Sequence, residues 1–323
     1  MADSGFRREL GQATHTVPAA EAVLPTWLVG EQVATRRAYG DTLAALGASR
    51  PGVVALDAEV SNATYFEMFI AEQQVVAAAV GLQARDWTPF VSTFAAFLSC
   101  AYDVLRMAAV SRANLRLVGS HSGGSIGADG PSQLALEDMA ALRSVHGSVV
   151  LHPSDANQTA RLVAHMADRD GISYLRTLRG NTEVRTGPEE EIGIGGSRIV
   201  RKSESDTVTI VACGITVGEA DRASDILAGE GIRARVLDCY SVKPIDGPAL
   251  RAAADDTGAL ITVEDHWPDG GLGDAVLAAL AGHPAPVRSL AVWRMPVTGT
   301  SEELLAAAGI DTAAIVKAAR NFA

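Results

Sequence analysis

The chain reads as α/β, with two doubly wound domains in series. Three observations lead there. Short apolar runs alternate with stretches of helical periodicity along nearly the whole length, the pattern of βα units around a buried parallel sheet. The 323 residues are too many for one compact α/β unit and suit two domains of ordinary size. A single stretch, GNTEVRTGPEEEIGIGG from Gly180 to Gly196, breaks the alternation with polar, acidic and glycine-rich composition. We therefore expect a polar, mobile lead-in over residues 1–22, a first domain over 23–180, a linker over 181–196 and a second domain over 197–323.

In the first domain, residues 36–48 place apolar side chains at helical spacing, and Pro51-Gly52 ends that helix. Residues 53–57 are a compact strand, and 72–85, rich in Ala and Val, a second helix. A strand at 89–94, a helix at 95–112, a strand at 115–119, a helix at 134–144 and a strand at 148–152 follow. Pro153-Ser154-Asp155 makes a turn with a cap for the helix at 156–167, and a strand at 172–176 closes the series. In the second domain we expect strands at 207–213, 234–237, 259–264 and 287–292, helices at 217–230 and 273–281, and a helical tail at 301–319.

Composition excludes several classes. With 48% apolar and 20% charged residues the chain has a real core and is not a disordered polymer. No apolar run is long enough to span a bilayer. A net charge of −11 argues against a sequence-independent grip on nucleic acid, which needs a basic face, but leaves room for anionic small substrates held by one or two arginines. Cys100, Cys213 and Cys239 are few, odd in number and far apart, which fits a reducing cytoplasm. The first residues lack the apolar stretch of a secretory signal.

In open parallel sheets ligands gather beyond the carboxyl ends of the strands. The densest cluster in such a place is GSHSGGSIGADGPSQ, residues 119–133, where five glycines surround His121 and Asp129. Glycines let backbone approach a ligand closely, yet the Lys-Ser/Thr of a nucleotide-phosphate loop is missing, and a plain surface loop has the same composition. Glu72, in IAEQ, is either a carboxylate complementing a helix N-terminus or, if buried behind YFEMFI, a proton carrier with a raised pKa. Phe94 and Phe97 in TFAAF lie one turn apart, as core or as a stacking pair. Arg179 follows a strand, where phosphate anchors and solvent-facing arginines both occur.

Taken together, ATRRAYG, IAEQ, STFAAF, GSHSGGSIGADGPSQLALEDMA, HPSD, VKPID and VEDHWPDGGLGDAV resemble the motifs of transketolases, in the same order, and most closely the animal-type branch. The resemblance runs from about Val29 to the C-terminus and covers that family's pyrimidine-binding and C-terminal domains. It implies thiamine diphosphate as cofactor and transfer of a two-carbon ketol unit from a ketose to an aldose. By motif, it implies that Glu72 hydrogen-bonds the aminopyrimidine ring, that Phe94 and Phe97 flank it, and that Gln133 is also a cofactor-binding residue, standing where other branches carry histidine. It further implies substrate-hydroxyl contacts for His121 and Asp129, eight residues apart, with His121 also catalytic, and a terminal phosphate held by Arg36 and Arg179.

The family grips the diphosphate through Mg²⁺ or Ca²⁺ on a GDG…N motif, and no GDG followed by such an asparagine occurs here. No metal ligand is therefore assigned to this chain. The resemblance implies a split transketolase whose N-terminal, diphosphate-binding subunit is a separate polypeptide, most simply in an α₂β₂ assembly. Two departures from the family bear on the acceptor. The stretch between residues 62 and 70 is shorter by roughly one helix length, with Ser61 or Ala63 where a serine is expected, and Cys100 replaces a larger side chain. A more open acceptor side is the expectation. Two other readings remain: the beta subunit of a 2-oxo acid dehydrogenase, less well matched by IAEQ and the glycine-rich loop, and a non-catalytic scaffold, which would have no use for this set of residues. Donor, acceptor, the need for a phosphate and the pathway stay open.

Overall fold

The computed structural model describes residues 22–57, 65–283 and 285–322. The lead-in expected over 1–22 falls outside them up to residue 21, as do Ser61 and Ala63; for 65–71 only the backbone is described. In chain order the elements are β1 (Gln32–Ala34), α1 (Thr35–Ser49), β2 (Val53–Asp57), α2 (Tyr65–Gln83) and β3 (Thr88–Phe94), then a 3₁₀ stretch (Ala95–Ala101) and α3 (Tyr102–Val110). After β4 (Leu115–Ser120) come two 3₁₀ pieces, Gly123–Asp129 and Pro131–Gln133, then α4 (Asp138–Ser144), β5 (Val149–Leu151), α5 (Ala156–Ala167), β6 (Ile172–Arg176) and β7 (Asn181–Glu183). The remainder is β8 (Arg198–Arg201), β9 (Val208–Ala212), α6 (Thr216–Gly229), β10 (Ala234–Asp238), β11 (Ser241–Lys243), α7 (Gly247–Thr257), β12 (Leu260–Val263), α8 (Leu272–Ala279), β13 (Val287–Leu290), α9 (Ser301–Ala308) and α10 (Thr312–Ala319).

Two open sheets result. The first has the order β11-β5-β6-β4-β3-β2 and the second β13-β12-β9-β10-β8, parallel throughout except for β11 and β8 at one edge of each. The central strands β6, β9, β10 and β12 are buried at every residue, whereas edge strand β2 is only partly covered. That is why β9 and β12 are apolar but for one threonine each, while β6 and β10 also bury Arg176, Arg235 and Asp238. In β9, Val208, Ile210 and Ala212 pack against α6 and α10, while Val211 faces Leu250 of α7 and Leu272 of α8. The first sheet is sandwiched likewise, with Val91, Leu115, Leu117 and Tyr174 against α2–α4 and Phe90, Val118 and Leu175 against α1 and α5. Each large side chain so buried contributes about 1.5–3 kcal/mol.

Several boundaries differ from the sequence expectation. Helix α2 begins at Tyr65, so Glu72 sits in its interior and the helix N-terminus reading does not hold. The helix expected at 95–112 opens as a 3₁₀ stretch, and the one expected at 134–144 starts only at Asp138. The helical tail divides at Gly309, whose φ of +70° makes it a left-handed C-cap for α9. Helix α7 adds to the expected elements; Asp246-Gly-Pro marks its start, and the Asp246 carboxylate accepts from Ala249 N–H at 3.1 Å. Strand β11 pairs with β5, so residues from beyond the 181–196 stretch complete the first sheet.

The 181–196 stretch is itself tied down. Its β7 pairs antiparallel with β1, Gln32 opposite Glu183, and Val184, Thr186 and Ile192 are buried. Asp155 accepts from the N–H groups of Arg185 (2.9 Å) and Thr186 (2.7 Å). This strap sets the entry to α1, and with it Arg36, against the segment that carries Arg179.

Candidate active site

Parallel pairing brings the carboxyl ends of β3, β4 and β6 to one rim: Phe94 lies opposite Ser120, and Gly119 opposite Arg176. The next residues along the chain therefore converge beyond that rim. His121 follows β4 directly and adopts φ +57°, an unfavourable conformation for a residue with a Cβ. Its ring stacks on Phe94 with centroids 4.1 Å apart, and Phe94 stacks on Phe97 at 5.5 Å. All three are only half-buried, so a layered aromatic wall is left partly open.

Arg36, in the first turn of α1, joins this wall to Arg179. Its Nε donates to the Arg179 carbonyl at 3.1 Å and its Nη1 to His121 Nε2 at 3.1 Å. Because Nε2 accepts, the imidazole proton is assigned to Nδ1, 2.9 Å from Ser120 Oγ, which in turn donates to the Thr93 carbonyl at 3.3 Å. Burial and the positive charges of Arg36 and Arg179, only partly offset by Asp129, push the His121 pKa down to about 4. His121 is neutral at physiological pH, with its tautomer set by these neighbours. Arg179 Nη1 donates to Asp129 Oδ1 and to the Ile126 carbonyl, at 2.8 and 2.7 Å. Arg36, His121, Asp129 and Arg179 thus form one connected polar group. Gln133 is half-buried at the end of the second 3₁₀ piece, where its N–H donates to the Gly130 carbonyl at 3.2 Å.

Glu72 is joined to the strand that carries Phe94 through Thr93. Its side chain is 2% exposed, Oε1 accepts from Thr93 Oγ1 at 2.9 Å, and Oε2 has no partner among the described residues. Burial raises its pKa; the Thr93 hydroxyl offsets this only in part. A buried carboxyl with one bare oxygen, one residue removed from the aromatic wall through Thr93, can hold a proton and offer it to a ring nitrogen. Cys100, whose carbonyl accepts from Gln73 Nε2 at 2.8 Å, has its thiol pushed up by burial and is no activated nucleophile. Sequence reasoning missed Thr93 and Ser120, though both lie inside segments it had singled out.

The bare carboxyl oxygen and the half-open aromatic wall suit the aminopyrimidine end of thiamine diphosphate. Among the described residues no group of three or more His, Cys, Asp or Glu is placed to hold a metal ion. The family descriptions "Transketolase, pyrimidine binding domain" and "Transketolase, C-terminal domain" match residues 31–184 and 197–315. The chain belongs to the transketolase family. It is 44% identical over 314 residues to Homo sapiens transketolase, a match that takes in 93% of this chain and 50% of that protein. Bos taurus transketolase-like protein 1 is 41% identical, with 92% and 52% covered. The chain thus spans about half the length of these transketolase relatives.

A solved structure described as "Split gene transketolase, inactive beta4 tetramer" superposes with TM-score 0.80 at 34% identity, over 90% of this chain and 98% of that one. Transketolase from Campylobacter jejuni superposes at TM-score 0.78 and 17% identity, over 93% and 48%, a likeness of fold. The family match favours transketolase over the 2-oxo acid dehydrogenase alternative.

Proposed function

We propose that this chain is the C-terminal subunit of a split, thiamine diphosphate-dependent transketolase, acting with a separate subunit that binds the diphosphate. The carrying observation is the pairing of Glu72, buried with one bare oxygen, with the Phe94–Phe97–His121 wall. Supporting it, the chain covers half of its full-length relatives and nearly all of a split-gene one. In this reading residues 23–180 form the pyrimidine domain, 181–196 the connection and 197–323 the C-terminal domain. Mg²⁺ or Ca²⁺ would be held by the companion, two copies of each subunit forming an α₂β₂ particle. No helix among the described residues is long and apolar enough to cross a membrane, and the three cysteines are free. We place the enzyme in the reducing cytoplasm, in carbohydrate metabolism.

The cofactor, when bound, supplies the electron sink for breaking and remaking the carbon–carbon bond of the sugar. Glu72, whose raised pKa favours the protonated form, would offer a proton at Oε2 to the pyrimidine ring, which Phe94 and Phe97 would flank and Gln133 would border. Neutral His121 exchanges hydrogen bonds with substrate hydroxyls, aided by Asp129. Among the described residues, the internal contacts of Arg36 and Arg179 leave other N–H groups of each guanidinium for a terminal phosphate. The more open acceptor side stays part of this reading through Cys100; of the shortened 62–70 stretch, 62–64 lie outside the described residues and 65–70 are described by their backbone alone.

Co-expression with the companion subunit and a screen of ketose donors against aldehyde acceptors tests the assignment. Ketol transfer is expected; oxidative decarboxylation of a 2-oxo acid, or an inactive complex, would refute it. In the active complex Arg179→Ala should raise KM for phosphorylated substrates roughly ten- to a hundredfold, the weight of about 1.5–3 kcal/mol for a charge-assisted contact. Unphosphorylated substrates should lose distinctly less, their loss coming only from the release of Asp129 and the weaker hold on the His121 pKa; equal losses for both would remove the phosphate role.

A further inference from the structure

The loop that carries His121 and Asp129 is not held by the first domain alone. Ser122 N–H and Oγ both donate to the Thr177 carbonyl (3.3 and 3.0 Å), and Gly123 N–H donates to Leu134 (2.5 Å), all from the same domain. The next amide, Gly124 N–H, instead donates at 2.9 Å to Oδ1 of Asp265, which stands 141 residues later in sequence, just past the end of β12. Asp265 is 2% exposed, and its second oxygen has no partner among the described residues. The approach is very close. A Cβ on Gly123 would lie 2.0 Å from Asp265 Oδ2, and Gly123 has φ +64°, so only glycine fits there.

The far end of the loop is tied to the same residue. Arg176 Nη2 donates both to the Asp265 carbonyl (3.0 Å) and to the Ala135 carbonyl (2.9 Å). Asp265 is rigidly placed, because its neighbour Glu264 accepts from Gly273 N–H at 2.9 Å at the start of α8 and His266 accepts from Val292 N–H at 2.9 Å. Burial raises the Asp265 pKa, and the Arg176 charge and the amides of Gly124 and Ser125 offset this only in part, so the ionised carboxyl costs stability where it stands. Its aim at the loop backbone therefore calls for another explanation.

We infer that Asp265 is a positioning residue, through which the C-terminal domain holds the glycine-rich loop in the conformation that presents His121 and Asp129 to substrate. The inference rests on the transketolase reading for what the loop does, but not for how it is held. Holding the Gly124 amide fixes the turn after His121, whose left-handed backbone is strained for a residue with a Cβ and would relax once that hold is released.

The test reads the loop in the chain without its companion. The His121 ring, facing Arg36, Arg179, Asp129, Ser120 and Phe94, is followed by NMR titration and assigned by its loss in His121→Gln. In the native chain it should titrate near its depressed value of about 4. In Asp265→Ala, which withdraws the acceptor from Gly124, the value should rise by about one unit or more towards the ordinary 6.5. Asp265→Asn keeps an acceptor oxygen and should stay within a few tenths of native. Asp265→Ser, too short to reach the amide, should follow Asp265→Ala. In the assembled enzyme the Ala variant should lose roughly tenfold in kcat/KM and the Asn variant should recover most of it.

An unmoved His121 in folded Asp265→Ala would overturn the inference, as would equal shifts in the Ala and Asn variants. Failure of both the Ala and Ser variants to fold would make Asp265 a structural residue and overturn it as well. These outcomes are independent of the reaction catalysed, which the donor–acceptor screen decides.

Discussion

Glu72→Gln is expected to lower kcat of the assembled enzyme by roughly 10²–10⁴-fold, the usual weight of a positioned proton donor, with little change in substrate KM. Glutamine is nearly isosteric and can still accept from Thr93 Oγ1, so the Thr93 contact at 2.9 Å should survive. What disappears is the proton on Oε2. The same variant should be more stable than the native chain at neutral pH. The folded-state pKa of Glu72 lies above its ordinary 4.5. For an acid this means that the unfolded chain ionises first, so the native side chain costs stability increasingly as pH rises above that value. Denaturant unfolding at pH 4 and pH 8 should show the variant gaining on the native chain only at the higher pH. Undiminished turnover, or destabilisation at pH 8, would contradict the role assigned to the carboxyl.

The second large effect concerns stability. Arg176 and Asp138 are 0% and 1% exposed and meet at 2.8 Å, at the junction of the two domains. Around them, Tyr174 donates to Asp138 at 2.5 Å, and Arg176 Nη1 lies 3.0 Å from His152 Nε2. His152 is kept neutral by burial and by the Arg176 charge, so Asp138 is the counter-ion of this guanidinium. Removing one partner of such a pair strands the other's charge in a low dielectric. Asp138→Ala should therefore cost about 3–5 kcal/mol, while exposed pairs such as Arg37–Asp41 should cost less than about 1 kcal/mol when broken. Chemical denaturation measures both. A loss below 1 kcal/mol at Asp138 would show that water or a rearranged partner reaches Arg176.

The fold was legible where physics imposes a sequence pattern. Runs such as Val208–Ala212, covered on both faces, are apolar at every position but Thr209, and α5 announces itself with the Asp155 cap and matches its expected limits. Strand β11 was not legible, since three residues carry no period and their pairing with β5 is decided by how the domains pack. Helix α2 was truncated because the start of its apolar run, YFEMFI, has no polar face to mark a helix.

At the site, the glycine-rich loop stood out by composition and position, and the structure joins Arg36, His121, Asp129 and Arg179 there. The bond from Thr93 to Glu72 depends on how α2 lies across β3, and Asp265 reaches the loop from the other domain. Neither relation leaves a local trace in the sequence. Arg176 read as the end of a strand, yet it is fully buried and central to the junction.

The most direct measurement is a calorimetric titration of the purified chain with thiamine diphosphate and Mg²⁺, without and then with the companion subunit. The chain by itself should show no saturable binding at micromolar cofactor. The complex should bind at that level and acquire ketol transfer. Micromolar binding by the lone chain would contradict the division of the cofactor site between two polypeptides.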